Sequence, residues 1–286
     1  MTDAARSPEP RSPELPLSNV LLSDLAPVVA QSQTPLMFAT VSGAHLYGFP
    51  SQDSDIDLRG AHVLPIADIV GLRRARERET TVRMWKRDGL EMDLVTHDVA
   101  KFAMLLLRPN GYVLEQLVSP LVVHTTPFHQ RLTELAPGLA TSTHVDHYRG
   151  FADNQRRLFG KTGELKPLLY IFRTLLTGIH LMRSGEVQAD LTVLADLYAG
   201  PERGCAPGYL RDLIEAKAAA EHSRLAAIPD APAQDTVVAD IAALFERLDD
   251  ARERTGLPAE PTVRAEVDDL VTGTRIELGD VQAFVA

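Results

Sequence analysis

Leu36-Met-Phe-Ala-Thr-Val41, then Ser42-Gly-Ala-His-Leu-Tyr-Gly-Phe-Pro50, then Ser54-Asp-Ile-Asp-Leu58: this run decides how the rest of the chain is read. Leu36 to Val41 is a short apolar stretch bounded by turn formers, which predicts a buried strand. It passes directly into a loop with glycines at 43 and 48. From Asp55 to Leu64 the residues alternate. Ile56, Leu58 and Ala61 fall on one side and Asp55, Asp57 and Arg59 on the other, with drift after Gly60. Residues two apart on a strand project from one face, so the pattern sets the Asp55 and Asp57 carboxylates side by side while Ile56 and Leu58 enter a core. Asp is disfavoured in strands, and two like charges so placed repel. A divalent cation such as Mg²⁺ turns that repulsion into coordination and keeps open positions for phosphate oxygens.

Working outward, Thr80 to Trp85 and Leu90 to Val95 flank Asp88-Gly89, a strong hairpin signal. The second of these strands carries Glu91 and Asp93, again two apart. Asp93 sits in the apolar context Met92-Asp93-Leu94-Val95 and is the expected third metal ligand; Glu91, nearer the turn, is expected to be solvated. Thr96 is read as the N-cap of a helix whose apolar positions are Val99, Phe102, Ala103, Leu106 and Leu107. Arg108-Pro-Asn-Gly111 breaks it, and Asn110 caps a second helix through Leu117. From about residue 143 the pattern turns wholly helical: His144 to Phe159, Pro167 to Arg183, Asp190 to Tyr198, Tyr209 to Leu225 and Val237 to Arg254. Residues 262–286 stay ambiguous. The expected fold is therefore α/β (α+β): a short mixed sheet with flanking helices over 19–140, then an all-helical domain over 141–286 that closes the cleft. Residues 1–18, rich in Pro, Ser and charge, read as a disordered tail and not as a secretory signal.

Composition bounds the function. The 286 residues carry a formal net charge of −10, with 45% apolar and 24% charged residues, as in ordinary soluble globular proteins. Gripping long nucleic acid calls for a basic field, so no extensive nucleic-acid footprint is expected. No run of about 18 apolar residues suggests a membrane span. The single cysteine, Cys205, rules out an internal disulfide and a cysteine-based zinc site, and it fits a reducing cytoplasm.

Gly43-x-x-x-Tyr47-Gly48 followed by Ser54-Asp55-x-Asp57, and then an acidic strand, resembles the DNA polymerase beta-type nucleotidyltransferase superfamily. Within it the chain looks most like the predicted bacterial branch associated with RNA-ligase-like genes. Lys101-Phe102, Asn110 to Ser119 and Lys166 through Arg173 also look like that branch, and the resemblance covers roughly residues 36–185. It implies a metal-dependent transfer of a nucleoside monophosphate from a nucleoside triphosphate to an acceptor hydroxyl, with release of pyrophosphate and Mg²⁺ (or Mn²⁺) as cofactor. Asp55, Asp57 and Asp93 are then the catalytic, metal-holding residues. Ser42, Gly43, Ala44, Tyr47, Gly48 and Ser54, together with Lys166, Tyr170 and Arg173, are the nucleotide-binding set. The family has Gly-Ser or Gly-Gly where this chain has Gly43-Ala44, and the Ser42 hydroxyl is out of register by two, so the phosphate contact falls to backbone donors. The acceptor is open: an RNA end, a protein side chain or a small molecule.

Other readings compete. An EF-hand loop starting at Asp53 would need Gly and Glu where Leu58 and Leu64 stand, and a P-loop would need Lys and Ser/Thr where Phe49-Pro50 stand. Both fail. His144 and His147 read as a solvated helix start, and His45 and His62 as polar packing. Lys166, Tyr170 and Arg173, at i, i+4 and i+7, share one stripe, either to hold phosphate or as snorkelling bases over an amphipathic face. Ala44 keeps alive a nucleotide-binding regulatory or partner-binding protein without catalysis; a metal-dependent phosphohydrolase is a weaker third.

Overall fold

The computed structural model describes residues 22–30, 32, 34–70, 76–87, 90–200, 204–219 and 223–283. The expected tail and the Asp88-Gly89 turn lie outside the described residues. The front half runs α1 (Leu22–Val29), β1 (Leu36–Val41), α2 (Gly43–Tyr47), β2 (Ile56–His62), α3 (Ala67–Val70), β3 (Thr80–Arg87), β4 (Leu90–Asp98), α4 (Val99–Leu106), α5 (Gly111–Leu117) and β5 (Val122–His124). Then come α6 (Pro127–Glu134), α7 (Ala136–Leu139), α8 (His144–Thr162), α9 (Leu165–Ser184), α10 (Leu191–Leu197), α11 (Leu210–Ala219), α12 (Gln234–Arg254) and α13 (Arg264–Ala283).

The five strands form one mixed sheet in the order β3-β4-β2-β1-β5. Only β2 and β4 run parallel, and their register sets Asp57 opposite Asp93. β3 and β4 pair antiparallel with Arg87 opposite Leu90, the register of a tight hairpin. Period-two alternation divides the sheet's side chains between two cores. Ile56, Leu58, Met92 and Leu94 join a large cluster with Tyr148, Phe172 and Leu244 of the helical half. Phe38 and Ala61 enter a second cluster with Phe102, Leu114 and Val267. Ala61 thus falls on the face opposite Ile56 and Leu58, where the alternation had drifted.

The helical half is built around α9, which is apolar nearly all round and buried along most of its length. α8 and α12 flank it. Gly163, at φ 65°, ends α8 in the left-handed conformation and lets the chain reverse into α9. Among the described residues no helix is long and apolar enough to cross a membrane.

Several local expectations are corrected. Asp98, not Thr96, caps α4, accepting from the Ala100 amide at 3.1 Å, because β4 stays paired through Thr96 and His97. The same carboxylate takes a 2.5 Å bond from Arg275, tying the ambiguous C-terminal stretch, which is helix α13, to the head of α4. β5, α6 and α7 form where the sequence pattern predicts no element. His144 is buried at 1% exposure and bonded through Nδ1 to Thr141, so it is no solvated helix start.

A deeply buried ion pair joins the two halves. Arg173 of α9 donates to Glu115 of α5 at 2.8 Å, with side-chain exposures of 4% and 1%. Its guanidinium also lies 3.9 Å from the Tyr47 ring centroid. Glu115→Ala should leave that cation buried without its counter-charge and cost about 3–5 kcal/mol in urea unfolding. The paired change Glu115→Leu with Arg173→Met should recover most of the loss.

Candidate active site

The site grows from the end of β1. After Val41 the Ser42 amide donates to the Asp57 carbonyl at 2.8 Å, which holds the loop against the first turn of β2. Gly43 follows at φ 65°, and a Cβ there would stand 1.9 Å from Asp57 Oδ2. Both the backbone angle and the space therefore demand glycine. Gly48 caps the other end of α2 at φ 82°, and a Cβ there would meet Asp190 Oδ1 at 2.2 Å. Each glycine of the motif lets the chain close on a carboxylate.

Asp57 and Asp93 share one face of the sheet on adjacent parallel strands. Arg59, also on that face, bridges them: one guanidinium nitrogen donates to Asp57 Oδ1 at 2.7 Å and another to Asp93 Oδ1 at 2.9 Å. Its Nε donates to Tyr112 Oη of α5 at 2.9 Å, which orients the fork. Burial raises the Asp57 carboxyl to about 6; Arg59 pulls it down and the Asp93 charge pushes it up again. Burial works against the Arg59 charge, but Asp93, Tyr112 and Asp57 more than offset it, and the guanidinium is held more firmly protonated than usual.

Asp55 stands apart. It is exposed and precedes β2, whose pairing begins at Ile56, so strand alternation does not govern it. Its charge acts on Lys86 of β3, whose ammonium is held above its ordinary range first by the hydrogen bond to Glu91, then by the Glu91 and Asp55 charges. Among the described residues no group of three or more His, Cys, Asp or Glu side chains gathers for a metal. The expected cluster of three carboxylates is thus a pair plus a neighbour on the loop. The pair still suits Mg²⁺ chemically, because Mg²⁺ commonly takes one or two carboxylates and completes its shell with water and phosphate. Arg59 engages one oxygen of each carboxylate.

The remaining sequence candidates divide by depth. Ala44 and Tyr47 are buried in α2. The Ser42 hydroxyl is buried with no hydrogen-bond partner. Ser54 is buried and bonded to Ser51 at 2.9 Å. Lys166 is exposed at the start of α9, Tyr170 is half-buried, and Arg173 is sealed against Glu115, so the stripe dives into the core instead of facing one ligand. Tyr170 packs edge-on against Tyr47 and Phe49. Arg173 is structural in this arrangement. Sequence reasoning gave Arg59 and Tyr112 no role, although Asp57-x-Arg59 is the i, i+2 spacing that places a cation beside the carboxylate on a strand.

A model of the RNA repair pathway DNA polymerase beta family matches residues 17–272, nearly the whole chain. The chain belongs to that family. An uncharacterised protein of Methanocaldococcus jannaschii, MJ0002, is 31% identical over 160 residues, 54% of this chain and 64% of that protein. YcgL of Bacillus subtilis, also uncharacterised, is 25% identical over 194 residues, 64% of this chain and 70% of that one. The chain thus spans somewhat less than two thirds of the archaeal relative's length. A crystal structure of a nucleotidyltransferase-like protein from Exiguobacterium sibiricum aligns over 80% of this chain and 72% of that one, at 13% identity and a TM-score of 0.27. That likeness is too loose to bear on the site. Membership of a polymerase beta-like nucleotidyltransferase family rests on the sequence match.

The raised Asp57 carboxyl has a measurable consequence. Between its ordinary 3.8 and about 6 the native state keeps a proton that the unfolded chain has released. Stability contributed through this group therefore falls as pH rises through that window and is flat above it. Asp57→Asn removes the slope. Urea unfolding on both sides of the window should show the variant gaining on the parent at the higher pH.

Proposed function

We propose that the protein transfers a nucleoside monophosphate from a nucleoside triphosphate to an acceptor hydroxyl. The observation that carries this reading is the parallel register placing Asp57 against Asp93, with Gly43 closed onto the Asp57 carboxylate. In the reaction the acceptor oxygen bonds to the α-phosphorus, the bond from that phosphorus to the bridging oxygen breaks, and pyrophosphate leaves. The hydroxyl proton passes to Asp93. Asp57 and Asp93 would hold Mg²⁺, with Asp55 extending the donor set from the loop. Mg²⁺ held there would supply Lewis-acid neutralisation of the charge that develops on the phosphates. Gly43 and Ala44 bring backbone close to the phosphates, and exposed Lys166 is the lysine of its stripe able to reach solvent-borne charge. The acceptor is an RNA end, a protein side chain or a small molecule. The family description favours an RNA end, of which the acidic chain grips only the terminus. A single cysteine fits work in the cytoplasm.

Asp57→Ala should abolish Mg²⁺-dependent pyrophosphate release while the circular-dichroism melt stays cooperative. Turnover equal to the parent's would refute the proposal.

Arg59 favours a second reading. It already supplies a cation to both carboxylates, which suits a protein that binds nucleotide without turning it over. Calorimetry with nucleoside triphosphates and Mg²⁺, beside a pyrophosphate assay, separates the two. Binding with release is expected; tight binding without release would favour the sensor.

A further inference from the structure

Asp57-Leu58-Arg59 sets an acid and a base two apart on β2, so both project from one face of the sheet. Arg59 divides its donors between two kinds of acceptor. Towards the site, Nη2 donates to Asp57 Oδ1 at 2.7 Å and Nη1 to Asp93 Oδ1 at 2.9 Å. Away from it, Nη1 also donates to the Leu58 carbonyl at 2.8 Å, and Nε to Tyr112 Oη at 2.9 Å. The second group of bonds does not involve the carboxylates and can hold the base of the fork when the first is broken.

The carboxylate oxygens are in demand. A Cβ at residue 43 would stand 1.9 Å from Asp57 Oδ2, so the backbone crowds that oxygen while Arg59 takes the other. The Arg59 side chain is 12% exposed, against 30% for Asp57 and 24% for Asp93, so the acids stay open to an incoming ion while the fork bridges them. A guanidinium and a divalent ion bridging the same pair compete for the same oxygens and repel as like charges. An arginine keeps its charge throughout, so it can yield only by moving.

We propose that Arg59 is an exchangeable counter-ion: metal entry displaces its fork from Asp57 and Asp93, and the fork, still hinged at Tyr112 and the Leu58 carbonyl, turns to the triphosphate. The proposal rests on the nucleotidyl-transfer reading in one respect, that these two carboxylates hold the metal. Released by itself, the guanidinium would stay largely buried without a counter-charge, which is costly. A triphosphate supplies that charge in a form the planar fork fits. Metal and triphosphate should therefore reinforce one another's binding.

The test follows binding without turnover. As Mg²⁺ is added to the full chain, the Arg59 Nη proton signals in NMR should pass from a split, ion-paired pattern to that of a free guanidinium, in step with occupancy. Mg²⁺ binding that leaves them fixed would overturn the exchange. Arg59→Met should bind Mn²⁺ alone, read by electron paramagnetic resonance, at least about tenfold more tightly than the parent, the equivalent of one charge-assisted bond no longer broken. The same variant should bind ATP at saturating Mg²⁺ about tenfold more weakly, for loss of one such bond. A merely loosened fold would weaken both, so the opposite signs are the signature, and unchanged or weaker Mn²⁺ affinity would sink the idea. Asp57→Asn added to Arg59→Met separates this inference from the reading beneath it. Mn²⁺ bound undiminished by the double variant would put the metal elsewhere and remove both. Loss of Mn²⁺ there, with Arg59→Met no tighter than the parent, would overturn the exchange alone.

Discussion

The constraint on which the molecule turns is the alignment of β2 with β4. Two parallel neighbours in this register bring two carboxylates within reach of one cation, and the chain then has to supply that cation. It does so from the same strand, with Arg59 two residues beyond Asp57. The loop after β1 must also clear the Asp57 side chain, which no residue but glycine at 43 permits. Fold and site therefore rest on one feature: if the strands slipped by a residue, the carboxylates would pass to the core face and the glycine loop would lose its contact.

α5 carries this arrangement to the rest of the molecule. Tyr112, near its start, steadies Arg59, and Glu115, one turn later, holds Arg173 of α9. Gly111 lets the helix lie so close to Tyr148 that a Cβ would approach the ring to 2.6 Å. Seven residues thus connect the carboxylate pair and the central helix.

Much of this was legible in the sequence. Alternation from 56 to 59, and an Asp two places past Glu91, are enough to set Asp57 and Asp93 on strands facing one way. For Asp55 alternation decides nothing, because it states where side chains point only once pairing has begun, and pairing begins one residue later. Thr96 and Asp98 are both good caps before an apolar helix, and only the tertiary pairing of β4 decides between them. Arg173 could not be placed from spacing, since a helix stripe looks the same whether its basic residue reaches water or meets an acid in the core. That acid, Glu115, lies 58 positions away. β5 spans three residues, too few for a periodic signal.

The large core contains residues of β1, β2 and β4 beside residues of α8, α9 and α12, without a break between the front and back halves. Swinging one half away from the other would expose aliphatic surface at about 25 cal/mol for each Å² and would pull Glu115 from Arg173. A hinge in the usual sense is therefore closed to this protein. Substrates must be admitted over a frame that stays still, and whatever adjusts to them must be local, at the loop bearing Asp55 and in the fork of Arg59.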